Sequence, residues 1–578
     1  MSVLNQVVET AEAYDRFVEE QVKRARSEPA IRKKLMRRWE AVRAGVELVT
    51  TPTGLKLPRL ALPVTDEPGE IARYVYGEGL PGEFPFVNAA YPRMYQDGGE
   101  EPTRLFAGLG TAEDTNKRFH YLTGHQKSSR LSTAFDGPTL YGMDSDADGV
   151  FGKVGEGGVA IDTVEDMERL YAGFPFGADN FSVSMTINGP APVILAMYVA
   201  AAKRRAGKSV VPKLRGTVQA DILKEVQAQN EIIFPLDASL RFLTDMVEYT
   251  IEHMPRWYPI SISGYHIAEA GATPVQQAAF TLSNGFTYAE LFRQRGMDVN
   301  KFGPRLSFFL DCGLDIEYLA LARVCRKLWA IGMRDVFGAD ERAQMLKLHT
   351  QTSGLSLITD EFKNNLTRTT VELMLAYMNA TNSSHSNSAD EPFTTPSEEY
   401  VRLAAHAQAI LLEETGLFKH TMNLLSGSPG MKAVERAVEA GILGEFREID
   451  VMGGVLGAIE RRYQRSQIQA SAHRYEQQID DGTRPIIALN RYRNTDADTP
   501  AVHLIRTPRT KKQHQVDRLE KFKRRHRSRA QRELDELARV VENGGNVFRQ
   551  LIQTVEHCSL GQVTGRLHEI VGHYRPTV

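Results

Sequence analysis

Cysteine is nearly missing from this chain of 578 residues: there are three, Cys312, Cys325 and Cys558. They lie far apart, with none of the paired spacings of a zinc site, so they are expected to be buried small hydrophobes in a reducing compartment. Net charge is nearly missing too. Lys and Arg number 70 against 72 Asp and Glu, a formal balance of −2, which excludes a global field drawing the chain to nucleic acid or membrane. No run of about 18 apolar residues is present to span a bilayer. The opening M-S-V-L-N-Q-V-V-E-T has neither the basic n-region nor the apolar stretch of a signal peptide. A soluble, cytoplasmic protein is expected. Two nucleotide motifs fail as well. The G-K-S at Gly207–Ser209 has Ala202 where a phosphate-binding loop needs its first glycine. The G-x-G-x-x-A at Gly155–Ala160 lacks the hydrophobic strand that a dinucleotide fold puts before it, so it reads as a loop.

What is present is the composition of a globular protein, 42% hydrophobic and 25% charged, long enough for two or three domains. Residues 1–45 read as helix with apolar positions too sparse for a thick core face. Residues 50–90 are rich in Pro and Gly and read as a linker. From about 86 to 425, short β-rich runs alternate with helical ones. The runs are Arg130–Asp136, Ser182–Gly189, Arg215–Asp221, Ile260–Ser263, Pro304–Asp311 and Leu346–Gly354, with weaker ones near Ala376–Ser388 and Gly416–Met422. This alternation predicts an α/β domain, a (β/α)8 TIM barrel. Beyond it the chain reads helical, so the expected division is 1–85, 86–425 and 426–578. Residues 508–530 are strongly basic, but acidic residues follow and aromatics for base stacking are lacking. They read as a solvated helix or a subunit contact.

The chemistry concentrates at Pro259–Ala270, P-I-S-I-S-G-Y-H-I-A-E-A. A strand ends in Gly264, and Tyr265, His266 and Glu269 follow within five residues. That is the pattern of a barrel strand delivering functional groups at its C-terminal end. The other runs are rich in Ser and Thr (Ser132, Thr133, Ser184, Thr186, Thr217), where ordinary barrels use Val, Ile and Leu. Small polar side chains suit a barrel threaded by a ligand.

Four ordered motifs carry a resemblance: S-I-S-G-Y-H-x-x-E-A-G, G-T-V-Q-x-D-I-L-K-E, P-R-L-S-F-F and H-x-Q-T-S-G. Together they resemble the large subunit of the adenosylcobalamin-dependent acyl-CoA mutases, the family of methylmalonyl-CoA and isobutyryl-CoA mutases. The stretch from Asn546 to Thr564 is similar to the C-terminal end of fused isobutyryl-CoA mutases. The resemblance implies an isomerase that moves a thioester group between adjacent carbons by a radical 1,2-shift. It implies His266 as donor to the thioester carbonyl, with Gln219 and Tyr265 beside the reacting groups. Tyr265, Glu269, Gln351 and Glu391 would face the cobalamin or its adenosyl group, and Phe135 would pack near the corrin. Tyr91, Met94, Arg104, Ser132, Ser184, Thr186, Thr217 and Arg305 would line the CoA path. The family's cobalamin motif D-x-H-x-x-G is missing, so no resident metal is expected. Cobalt is then expected on a cobalamin-binding small subunit, wrapped by the N-terminal segment in a heterotetramer, with a G-protein chaperone as a further partner.

Two positions bear on the acyl group. The methylmalonyl type pairs its free carboxylate with Arg and Tyr. This chain has Gln229 and Phe106 there, the pair of the isobutyryl type. The pattern also departs from the family. Ser384–Pro392 reads S-H-S-N-S-A-D-E-P, Asn423–Ser428 has lost its Pro, and the CoA-side segment reads D-G-G-E-E-P-T-R over Asp97–Arg104. These departures keep pivalyl-CoA or isovaleryl-CoA open as substrates. Methylmalonyl-CoA and a non-catalytic assembly scaffold are the remaining alternatives.

Overall fold

The computed structural model describes residues 2–96, 103–124, 128–494 and 504–575. The CoA-side segment falls largely outside them. Among the described residues eleven strands follow one another. They are β1 Leu48–Thr50, β2 Lys56–Pro58, β3 Leu105–Ala107, β4 Ser129–Ala134, β5 Phe181–Thr186, β6 Gly216–Val218, β7 Trp257–Tyr258, β8 Ile260–Ser263, β9 Leu306–Cys312, β10 Lys347–Thr352 and β11 Ser383–His385. The fold is α/β with parallel sheets. It divides into two compact units. The first holds Met1–Thr103, Ser263–Pro392 and Glu398–Ala501; the second holds Arg104–Ile262, Phe393–Ser397 and Val502–Val578.

In the first unit β11, β10 and β9 are neighbours in that order. β9 and β10 run parallel with Phe309 opposite His349 and Asp311 opposite Gln351. β11 continues the rows with Ser383 and His385. The eighth expected strand is not one. Leu417–His420 is a short helix entered through the left-handed Gly416, and Met422 makes a single bridge to Leu60. The seventh is only β11, because Ala376–Met378 completes the buried face of helix Asn365–Met378.

Helices α1 Val3–Ser27, α2 Pro29–Gly45 and α3 Pro68–Gly77 belong to this unit. The expectation of a solvated N-terminal helix is corrected. α1 buries Val7, Val8, Ala11, Tyr14, Val18, Val22 and Ala25 on one face, a 3–4 spacing in which small residues hide the periodicity. It packs on α3 and on helices Leu321–Asp335 and Pro429–Val451 of its own unit. α3 itself lies inside the expected linker. Pro68 sits in its first turn and Glu67 caps the N–H groups of Gly69 and Glu70, so proline here starts a helix.

In the second unit, β3 to β7 form a five-stranded parallel sheet in chain order. Helix Ala191–Ala206 is buried along its whole first three turns, as a helix covering a parallel sheet must be. The basic run lies in helix Arg509–Glu542. Its inner side is ion-paired within the unit, Lys512 to Glu156 at 2.8 Å and Lys523 to Asp144 and Asp146 at 2.8 Å. All three cysteines are buried thiols. No helix among the described residues is long and apolar enough to cross a membrane.

Candidate active site

The second unit sets four candidate residues in one row. Phe106 on β3 is in register with Ser132 on β4, Ser132 with Ser184 on β5, and Ser184 with Thr217 on β6. Residues in register across a parallel sheet share a face, so an aromatic ring and three hydroxyl-bearing side chains stand side by side. Thr186 is on the same strand and face two residues on from Ser184, its hydroxyl donating to Thr133 O at 2.8 Å. Arg104 precedes β3, at that strand's N-terminal end. Phe135 follows β4, is buried, and bridges to Val159.

Gln219 follows β6 and is buried. Its Oε1 accepts from Asn188 Nδ2 at 3.1 Å, and Asn188 Oδ1 accepts from the Asp221 N–H at 3.0 Å. Ten residues on, Gln229 Oε1 accepts from Lys224 Nζ at 2.6 Å. The Lys224 ammonium also donates to Glu225, and both side chains are fully buried. Glu225 is held in turn by the Glu231 N–H at 2.9 Å. So a buried cation does touch Gln229, but its own carboxylate cancels it. Lys224 stands inside the motif G-T-V-Q-x-D-I-L-K-E and Asn188 inside the run Ser182–Gly189. What showed neither role is that hydrogen-bond direction is a property of the fold.

The first unit resumes at Ser263, the last residue of β8, and Gly264 opens the helix Tyr265–Glu269. The Gly264 N–H reaches Phe309 O at 2.7 Å. Tyr265 stacks on Phe309 with centroids 4.9 Å apart, and His266 meets the same ring edge-on at 5.7 Å. Gln351 Nε2 donates to Tyr265 Oη at 3.0 Å and to Asn387 Oδ1 at 2.8 Å. Glu269 accepts from the Gly354 N–H at 2.7 Å. A Cβ on Gly354 would stand 2.3 Å from Glu269 Oε2, so a larger residue in T-S-G would displace that carboxylate. Glu391 accepts from the Ser388 N–H at 3.0 Å.

These groups share one electrostatic environment. Burial, then the charges of Glu269 and Asp390, push the Glu391 carboxyl up to about 7. Burial raises Glu269 as well, against the Gly354 and Ser353 donors. Burial, Glu269, Glu391 and Asp311 hold the Tyr265 hydroxyl well above its ordinary value, so it stays protonated. Tyr265, His266, Glu269, Gln351 and Glu391 are therefore brought together. Arg305 is not with them; it ends the turn Gly303–Arg305 before β9, at the opposite end of that strand. β9 has seven residues, roughly 23 Å of strand. Tyr91 and Met94 sit in a separate apolar cluster with Ala89, Ala380 and Met422.

A model of the methylmalonyl-CoA mutase family matches residues 61–573. The chain belongs to the methylmalonyl-CoA mutase family. It is 46% identical to a fused isobutyryl-CoA mutase of Geobacillus kaustophilus over 92% of its own length and 51% of the relative's. It is 44% identical to a fused isobutyryl-CoA mutase of Nocardia farcinica, covering 91% and 51%. It is 38% identical to the 2-hydroxyisobutanoyl-CoA mutase large subunit of Aquincola tertiaricarbonis, covering 86% and 88%. The chain thus spans about half the length of the fused relatives it matches. Their name and that coverage overturn the expectation of a separate cobalamin-binding small subunit. With it falls the heterotetramer of separate large and small subunits. In mutases so named, the parts belong to one polypeptide.

Proposed function

We propose that this family member is the acyl-CoA-binding, catalytic portion of an adenosylcobalamin-dependent mutase. Its substrate is an uncharged branched acyl-CoA, rearranged as isobutyryl-CoA to n-butyryl-CoA. The observation that carries this reading is the setting of Gln229. The side chain is neutral, and Lys224, the cation that donates to its Oε1, is paired with Glu225. A buried carboxylate on the substrate would lack a net positive partner and would cost several kcal/mol. Phe106, which has no hydroxyl to offer, stands in the row with Ser132, Ser184 and Thr217.

In this reading the hydroxyl row lets the polar CoA chain pass where branched side chains would block it. Arg104 and Arg305, each at the N-terminal end of its strand, hold the phosphate end. Tyr91 and Met94 line the same path. His266 donates to the thioester carbonyl and stabilises the charge that gathers on its oxygen. Gln219 is the second polar group at the acyl end. Tyr265 stays a neutral donor because burial, and then its carboxylate neighbours, oppose ionisation.

The residues present fit the adenosyl part of the cofactor. Glu269 and Glu391 are carboxyls whose burial is only partly offset by backbone donors, and the hydroxyls of a sugar are the donors they lack. Gln351 adds an amide beside them, and Phe135 supplies apolar surface. When bound, adenosylcobalamin supplies the radical chemistry; the protein binds, orients and keeps water out. A (β/α)8 barrel and the division at 85 and 425 belong to the same proposal, supported by the parallel strands β3 to β6 and β9 to β11, each followed by helix. The test is product analysis. The full-length protein with adenosylcobalamin should convert isobutyryl-CoA to n-butyryl-CoA; recovery of unchanged isobutyryl-CoA alone would reject the reading.

A further inference from the structure

Residues 78–96 contain neither helix nor strand, so their main-chain groups have no regular ladder to pair with and must be held by other means. Helix Leu321–Asp335 supplies part of that hold. Arg323 and Arg326 stand three residues apart on one face of the helix, 2% and 1% exposed. Together they grip three consecutive residues. Arg326 Nε donates to Phe86 O at 2.9 Å and its Nη2 to Val87 O at 2.8 Å. Arg323 Nη2 donates to Asn88 Oδ1 at 2.9 Å. The two arginines are not equivalent. Arg323 is neutralised by Glu78 and Glu435. Arg326 gives its hydrogen bonds to main-chain carbonyls, the third of them Asn379 O at 2.7 Å. A buried charge that meets carbonyl dipoles in place of a carboxylate carries a desolvation penalty, and burial, then the charge of Arg323, pushes this guanidinium down to about 9.

The carbonyls it holds border backbone that needs holding. Phe86 has φ +60°, and Ala380, next to Asn379, has φ +54°. Left-handed conformations are uncommon for a residue with Cβ and persist where the surroundings fix them. One guanidinium thus pins two such points of the chain to a single helix. The segments that leave those points meet again. Ala380 packs with Ala89, Met94 and Met422 in one apolar cluster, with Tyr91 against it, and Tyr95 Oη donates to Thr381 O at 2.7 Å.

We propose that Arg326, assisted by Arg323, is a positioning residue that fixes the main chain at Phe86–Asn88 and at Asn379, and so sets Tyr91 and Met94 in place for the CoA chain. This rests on the acyl-CoA mutase reading, in which Tyr91 and Met94 line the CoA path. Arg326 itself touches no ligand; it acts through the segment it holds.

The test separates placement from mere stability. Arg326→Lys keeps the charge but lacks the planar fork that reaches three carbonyls at once. The full-length protein is titrated calorimetrically with isobutyryl-CoA and with free CoA, and its turnover with adenosylcobalamin is measured at saturating isobutyryl-CoA. The expected result is that both ligands bind the variant roughly tenfold more weakly, the loss being shared because it lies on the CoA chain, while kcat stays within about threefold of wild type. A lowered melting temperature with wild-type affinity for both ligands would make Arg326 a structural residue and overturn the proposal. So would a fall in kcat with affinities unchanged. Asn88→Ala gives a second route if the first variant folds poorly. It removes one bond of the grip and leaves Arg323 on Glu78 and Glu435, so both ligands should bind about threefold more weakly; wild-type affinity contradicts the proposal. If wild type binds neither isobutyryl-CoA nor CoA, the acyl-CoA reading itself fails and this proposal with it.

Discussion

At the scale of single residues, the account rests on groups whose protonation and direction are fixed by what surrounds them. His266→Ala should lower turnover roughly 10²–10³-fold, the usual cost of one donor to a developing oxyanion, with an unchanged circular dichroism spectrum. Turnover within a few-fold of wild type would make His266 structural. Glu391 makes a prediction about pH. Its folded pKa is raised from 4.5 to about 7. The stability this allows is complete below the unfolded pKa and is lost as pH rises through 7. Glu391→Gln removes that loss. Thermal melts at pH 5 and 8 should show the variant gaining on wild type by on the order of 1–3 kcal/mol; a pH-independent difference would deny the raised pKa. The identities of these residues were legible in the sequence, since G-Y-H-x-x-E and T-V-Q are local strings. Their partners were not. Asn188 meets Gln219 and Asn387 meets Gln351 across strands, separations of 31 and 36 residues, which no local pattern encodes.

At the scale of elements, strands with β-rich runs were legible: β4, β5, β8, β9 and β10 begin and end within three residues of their expected places. What escaped was set by tertiary packing. α1 sets its buried stripe of valines, alanines and Tyr14 among charged residues, α3 begins in a proline-rich stretch, and the expected eighth strand is a turn of helix. β3 has three residues, too few for a period to show. The junction of β8 with the helix Tyr265–Glu269 gives a test at this scale. A Cβ on Gly264 would stand 2.3 Å from Thr281 Oγ1, 2.8 Å from Leu310 Cδ2 and 2.9 Å from Gln277 Cγ. Gly264→Ala must therefore shift the residue that starts the functional helix. It should cost about 1–3 kcal/mol by overpacking and lower turnover as Tyr265 and His266 move. Thermal denaturation with turnover checks both, and a variant like wild type in each would show that the junction gives way.

At the scale of the molecule, the chain carries a family's motifs in order and a polar lining where a barrel would ordinarily be apolar. The family was legible because its motifs are long. The arrangement of its parts was not, because a missing D-x-H-x-x-G says only that these 578 residues lack the motif. What separates this chain from a carboxylate-binding mutase is Gln229, its oxygen on the buried Lys224 and that ammonium cancelled by Glu225. The ratio of kcat/KM for isobutyryl-CoA over methylmalonyl-CoA, measured with the full-length cofactor-loaded protein, tests this most directly. An unpaired buried carboxylate costs about 3–5 kcal/mol, so the ratio should exceed unity by roughly 10²–10³ or more. A preference for methylmalonyl-CoA would contradict the assignment of the substrate.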